Sequence, residues 1–110
     1  MKKFTDAFHG LMMAFHHKAV RIQLFLAVLA ITGGLILRLD AYEWLCFCIC
    51  IGVVIAAEIF NTAIERICDY QSREMDEKIR NIKDLSSAAV LVAAIMALIV
   101  AMICLFRRLM

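Results

Sequence analysis

The chain has 110 residues, of which 65% are apolar, and its mean hydropathy is +0.86. This composition excludes an ordinary water-soluble domain and predicts one compact membrane unit over residues 1–110. The absence of proline and the presence of only four glycines leave little material for long loops, so we expect an all-α membrane protein. The net charge of +2 says little, and we expect no nucleic-acid partner.

The first predicted element is an amphipathic surface helix over residues 4–19, flanked by lysines that suit anionic headgroups. We expect it to lie in the membrane interface, to pack against the other helices, or to do both. Its apolar residues recur at three- and four-residue steps: Phe4, Phe8, Leu11, Met12 and Phe15.

Three apolar stretches, residues 22–39, 45–64 and 86–106, have the length of a membrane-spanning helix. The charged residues 66–85 are predicted to form a polar connection between the second and third spans. Nine of the 12 lysines and arginines precede the first span or lie in this connection. Positive residues concentrate in the cytoplasm, so we expect the N-terminus and residues 66–85 to face the cytoplasm of a bacterial inner membrane.

Glu58 is the one charged residue within a predicted span interior. A carboxylate in an apolar helix is costly and is a functional-site hypothesis by default. At about 100° per residue, Thr62, Glu65 and Asp69 share its helical stripe, and Asn61 lies on the flank. Glu58 and Glu65 are then roughly 10 Å apart, which allows one to act as a base and the other as a cation ligand.

This stripe also carries a family resemblance, through polar residues at fixed spacing in apolar helices: Glu58-x-x-Asn61-x-Ala63-Ile64-Glu65-x-x-x-Asp69 and Lys83-Asp84-x-x-Ser87-Ala88-Ala89-Val90. The pattern resembles the signature of the small prokaryotic integral-membrane diacylglycerol kinases, whose close relatives include undecaprenol kinases. Chain length and the number of spans agree, so the resemblance covers nearly the whole chain.

The resemblance implies a homotrimeric bundle with sites between neighbouring protomers. It also implies ATP as co-substrate, Mg²⁺ as cofactor and a membrane lipid alcohol as substrate. By motif position, Glu58 corresponds to the general base at the lipid site, and Ser87 to a substrate-contacting position. Glu65 corresponds to a metal ligand. The positions that correspond to nucleotide contacts are Asn61, Glu65, Glu74, Met75, Asp76, Lys83 and Asp84.

The chain departs from the family at a second metal-binding glutamate, which ends the surface helix four residues before an arginine. Counting back from Arg21 gives His17, and counting forward from Gly10 gives Lys18. His17 is the candidate ligand, although imidazole suits transition metals better than Mg²⁺. A catalytically inactive relative therefore stays an alternative. So does a small exporter that uses a buried glutamate, although those proteins carry it in the first of four spans.

The expected topology can be tested directly. Three spans and a cytoplasmic N-terminus place Met110 outside, so a topology reporter fused after Met110 should be active only on the external side. Cytoplasmic activity of this fusion would contradict both the orientation and the odd number of spans.

Overall fold

A computed structural model describes residues 2–71 and 77–110, and every regular element in these ranges is an α-helix. The expectation of an all-α fold is therefore confirmed. Three of the four helices are long and apolar enough to cross a membrane, which makes the chain a multi-pass membrane protein. The helices are α1 (Lys2–Ala14), α2 (Lys18–Leu37), α3 (Ala41–Gln71) and α4 (Glu77–Leu109).

The second and third spans are much longer than the apolar stretches that predicted them. α3 has 31 residues and α4 has 33, so each is about 45–50 Å long, whereas the hydrocarbon core is about 30 Å thick. Much of the polar connection predicted over residues 66–85 is thus helical, up to Gln71 and again from Glu77. The sequence of this segment contains no glycine or proline to end a helix, and most of the charged side chains in its described parts are exposed.

The helix predicted over residues 4–19 is interrupted. α1 ends at Ala14, and the backbone N–H groups of His16 and His17 bond to carbonyls only three residues back, at 3.1 and 3.0 Å. His17 is extended (φ −84°, ψ 134°), and α2 starts after it. Arg21 Nε donates to the Phe15 carbonyl at 3.0 Å and fixes this turn. The sequence has no glycine or proline at this break, and its apolar residues keep their helical spacing across it.

The connection between α2 and α3 is a short, fully hydrogen-bonded turn. Asp40 and Glu43 form a capping box at the start of α3: Glu43 N–H donates to Asp40 Oδ1 at 2.9 Å, and Asp40 N–H donates to Glu43 Oε1 at 3.0 Å. The bond from the Glu43 backbone N–H holds the pKa of the Asp40 carboxyl below its ordinary value. Gly34 is required here, because a Cβ on it would lie 2.8 Å from the Trp44 ring.

α3 is the central helix, since it packs against both α2 and α4. At the end of α3 near this turn, Glu43 is only 3% exposed and accepts a hydrogen bond from Arg108. Arg107 Nη1 lies 3.5 Å from the other Glu43 oxygen. At the opposite end, Lys83 Nζ lies 2.7 Å from Asp69 Oδ1. The antiparallel pair α3–α4 is therefore held by ion pairs at both ends.

The buried end of this pair should dominate its stability. We expect Glu43→Ala to lower the free energy of unfolding by about 1–3 kcal/mol, because it leaves partly buried hydrogen-bonding groups without their acceptor. Glu77→Ala, which removes an exposed carboxylate from the first turn of α4, is the control. Thermal or denaturant unfolding in detergent micelles measures both, and equal stability of the two variants would contradict the assignment.

Candidate functional site

The predicted polar stripe lies on α3 and becomes more exposed toward Gln71. Glu58 and Asn61 are 6% and 8% exposed, respectively. Glu65 is half-buried and Asp69 is exposed. The stripe thus leads from the interior of the helix pair to its polar end.

Asn61 and Glu65 form the one hydrogen bond between two side chains within the stripe that the described residues show. Asn61 Nδ2 donates to Glu65 Oε1 at 3.2 Å, one helical turn away. A carboxylate only accepts, so the amide nitrogen must face it and the amide oxygen points elsewhere. That oxygen, Asn61 Oδ1, is buried and has no partner among the described residues. An unsatisfied buried acceptor is costly and marks a place for a ligand cation or hydrogen-bond donor.

The Glu58 carboxylate makes no hydrogen bond to another described side chain. The nearby Thr62 hydroxyl is occupied, because it donates to the Glu58 backbone carbonyl at 2.9 Å. Glu58 is therefore buried with both carboxylate oxygens available. A carboxylate in this state can accept a proton from a ligand hydroxyl that reaches it.

At the polar end of the stripe, Lys83 contacts a stripe residue, whereas the neighbouring motif residues of α4 that the structure describes do not. Its ammonium contacts Asp69 at 2.7 Å, with 23% of the lysine side chain exposed, so it lies at the polar end of the stripe. Asp84 and Ser87 are exposed, whereas Ser86, which the motif does not single out, is buried at 9%. The nucleotide positions predicted at residues 74–76 lie outside the described residues.

His17 contacts an arginine. Its Nε2 atom lies 2.7 Å from Arg66 Nη2. Arginine is always a donor, so Nε2 accepts and the imidazole is neutral in this contact. His17 remains a predicted metal ligand, but in this arrangement a guanidinium occupies the position in front of Nε2. The sequence motif does not indicate this pair, because the two paired residues are 49 positions apart in the chain.

The described residues contain no group of three His, Cys, Asp or Glu side chains able to hold a metal ion. Glu65 and the unpaired Asn61 Oδ1 are oxygen donors, which suit Mg²⁺. His17 does not add to that set. Within one described chain, the protein therefore offers one carboxylate and one amide oxygen for a hard dication.

A cavity of about 510 Å³ separates α1 from α3 beside this site. His17 and Arg66 contribute its polar lining together with Thr62. Sequence periodicity did not indicate a gap here, because small residues on a helix are equally consistent with close packing. Its apolar lining includes Ala7, Gly10, Ala14, Ile59 and Ala63.

These features define a small multi-pass helical membrane protein with an acidic, amide-containing site between its interior and one polar end. The sequence profile of the family described as prokaryotic diacylglycerol kinase matches residues 5–105, and the chain belongs to that family. The resemblance carried by the α3 stripe is therefore confirmed, and it supports a lipid kinase. No individual curated protein matches the chain.

Proposed function

We propose that the protein is an ATP-dependent lipid kinase of the bacterial cytoplasmic membrane. It transfers the γ-phosphate of Mg-ATP to the hydroxyl of a membrane lipid alcohol, either undecaprenol or diacylglycerol. The observation that carries this proposal is the buried Glu58 carboxylate, which has no side-chain partner among the described residues and lies one turn from the Asn61–Glu65 pair, in a chain of this kinase family.

Glu58 acts as the general base. It accepts the proton of the lipid hydroxyl as that oxygen attacks the γ-phosphorus, and the bond between the γ-phosphorus and the β–γ bridging oxygen breaks to release ADP. The proton then leaves Glu58 for solvent. Because the Glu58 carboxylate makes no side-chain hydrogen bond within the described chain, no hydrogen bond to the protein has to break before it accepts the proton.

Glu65 and Asn61 Oδ1 would hold Mg²⁺, and the remaining ligands come from phosphates and water, as is common for this ion. Bound there, the ion would neutralise charge on the transferring phosphoryl group. Lys83 supplies a cation for the nucleotide at the polar end. Asp84 and residues 74–76 complete the proposed nucleotide site, and residue Ser87 contacts the lipid.

The proposed site is completed by neighbouring protomers in a homotrimer. Asp84 and Ser87 are exposed on a single chain, so a second chain is needed to enclose them. A groove of about 370 Å³ between α3 and α4 has the small residues Ala57, Ala89 and Ala93 in its lining. Small residues allow membrane helices to approach closely. The same proposal places the N-terminus and the Lys83 end in the cytoplasm, where ATP is available.

The Glu58 role can be tested with Glu58→Gln, which keeps the side-chain shape. We expect unchanged folding and ATP binding, and turnover reduced by at least about 100-fold, in the range of lost acid–base catalysis. The assay incubates purified protein with labelled ATP and a panel of lipid alcohols that includes undecaprenol and diacylglycerol. Full turnover by the variant would remove Glu58 from catalysis, whereas a parent protein that phosphorylates no lipid would indicate an inactive relative.

A second set of variants separates the nucleotide site from the lipid site. Glu65→Gln, Lys83→Ala and Asp84→Asn should each weaken Mg-ATP binding, by about tenfold for the lysine, or about 1.4 kcal/mol. Lys78→Ala removes an exposed lysine near the start of the same helix and should not change binding. Ser87→Leu should instead raise KM for the lipid. Loss of lipid affinity alone in Ser87→Leu and in all three nucleotide-site variants would contradict this placement.

A further inference from the structure

The contact between His17 and Arg66 joins the turn before α2 to α3, and neither residue has a part in the proposed transfer step. Arg66 Nη2 donates to His17 Nε2 at 2.7 Å. Both residues line the cavity between α1 and α3, together with Thr62, which also belongs to the polar stripe. Arg66 is exposed, so a water-borne ligand can reach it. The pair therefore borders both the cavity and the stripe.

Arg66 carries a positive charge that no described carboxylate balances. Among the described residues its side chain makes one hydrogen bond, to an imidazole that is neutral in this contact, and no ion pair. Lys83, at the same end of the stripe, already pairs with Asp69 at 2.7 Å. A guanidinium has several N–H donors, and those that do not face His17 are free of described acceptors. Arg66 can therefore bind an anion without first losing a carboxylate partner.

Helix geometry directs Arg66 toward the residues of the proposed reaction. It follows Thr62 by one turn and Glu58 by two turns along one side of α3. Helical side chains tilt toward the N-terminus of their helix, so the Arg66 side chain leans back toward Thr62. Glu65 is the preceding residue, about 100° around the helix. The guanidinium therefore flanks the Asn61–Glu65 pair on the side of the cavity.

The neutral imidazole of His17 is what leaves the charge of Arg66 available. A carboxylate at position 17 would form an ion pair with Arg66 and cancel that charge. An imidazole nitrogen instead accepts the hydrogen bond without adding charge, so it orients the guanidinium and leaves it fully cationic. A planar guanidinium matches phosphate oxygens with parallel N–H bonds. The ligand that this arrangement fits is therefore a phosphate group beside Glu65.

We propose that Arg66 binds the terminal phosphate of the nucleotide, and that His17 is a positioning residue that holds the guanidinium for this contact. Arg66 thereby stabilises negative charge on the oxygens of the transferring phosphoryl group, a role that arginine commonly has in such reactions. The inference rests on the proposed function for the identity of the phosphate donor, and it adds two residues that the family motif does not contain. Nucleotide binding tests it without phosphate transfer.

The first test compares Mg-ATP with Mg-ADP, which lacks the terminal phosphate. Calorimetric titration uses the full-length protein in phospholipid nanodiscs without a lipid alcohol. Arg66→Gln should weaken Mg-ATP binding by about tenfold, as expected for the loss of hydrogen bonds to a charged group, and should leave Mg-ADP binding unchanged. Arg66→Lys keeps the charge without the planar fork and should lose less. Arg80→Gln removes an exposed guanidinium from α4 and should bind both nucleotides as the parent does.

The second test separates positioning from metal binding by His17. His17→Phe removes the acceptor and should weaken Mg-ATP binding by about threefold, a part of the Arg66 effect. His17→Gln supplies a neutral acceptor again and should restore binding. In the Arg66→Gln background, His17→Phe should cause no further loss, because a positioning residue acts only through its partner. Additive losses would remove the positioning role, since an independent metal ligand gives that result.

Three results would overturn the role of Arg66: unchanged Mg-ATP binding in Arg66→Gln, equal loss of Mg-ATP and Mg-ADP binding, or a parent protein that binds no nucleotide. The thermal unfolding midpoint of each variant is measured in the same nanodiscs, and if Arg66→Gln does not fold, Arg66→Lys supplies the same comparison of the two nucleotides. Failure of the proposed function alone gives a different outcome. Binding of Mg-ATP then still depends on Arg66, while labelled ATP transfers no phosphate to any lipid alcohol.

Discussion

The antiparallel packing of α3 on α4 is the constraint on which the rest of the structure depends. Ion pairs close it at both ends, Glu43 with Arg108 and Asp69 with Lys83. The paired positions are 26 residues apart in α3 and 25 apart in α4, so the two helices run in register over roughly 38 Å. A slip of one turn would break both pairs and leave Glu43 buried without its cation, which is strongly unfavourable.

This fixed register sets where the candidate functional residues lie along the α3–α4 pair. Glu58 lies between the two pairs at a depth set by the helix alone. The capping box of Asp40 and Glu43 also connects the Glu43 end of α3 to α2 through a short, hydrogen-bonded turn. Glu43 therefore interacts with three elements. It caps the start of α3, pairs with an arginine of α4 and hydrogen-bonds the turn from α2.

The sequence predicted the features that a single helix determines. Three spans and the α3 stripe follow from apolar length and a 100° period. It did not predict features that depend on contacts between helices. The turn before α2 is held by Arg21 on a backbone carbonyl, and the burial of Ser86 rather than Ser87 depends on how α4 is rotated against α3. The His17–Arg66 contact joins separate elements in the same way.

The missing carboxylate near the start of α2 changes the charge balance of the proposed site. Its family counterpart would bring a second negative ligand to the metal, whereas His17 is neutral and faces a guanidinium. The described chain then offers Mg²⁺ one carboxylate, Glu65, and one amide oxygen, Asn61 Oδ1. Mg²⁺ tolerates so few protein ligands when phosphates supply the others. In the proposed site the ion would therefore bind mainly as its nucleotide complex, and the protein would contribute orientation more than affinity for the free metal.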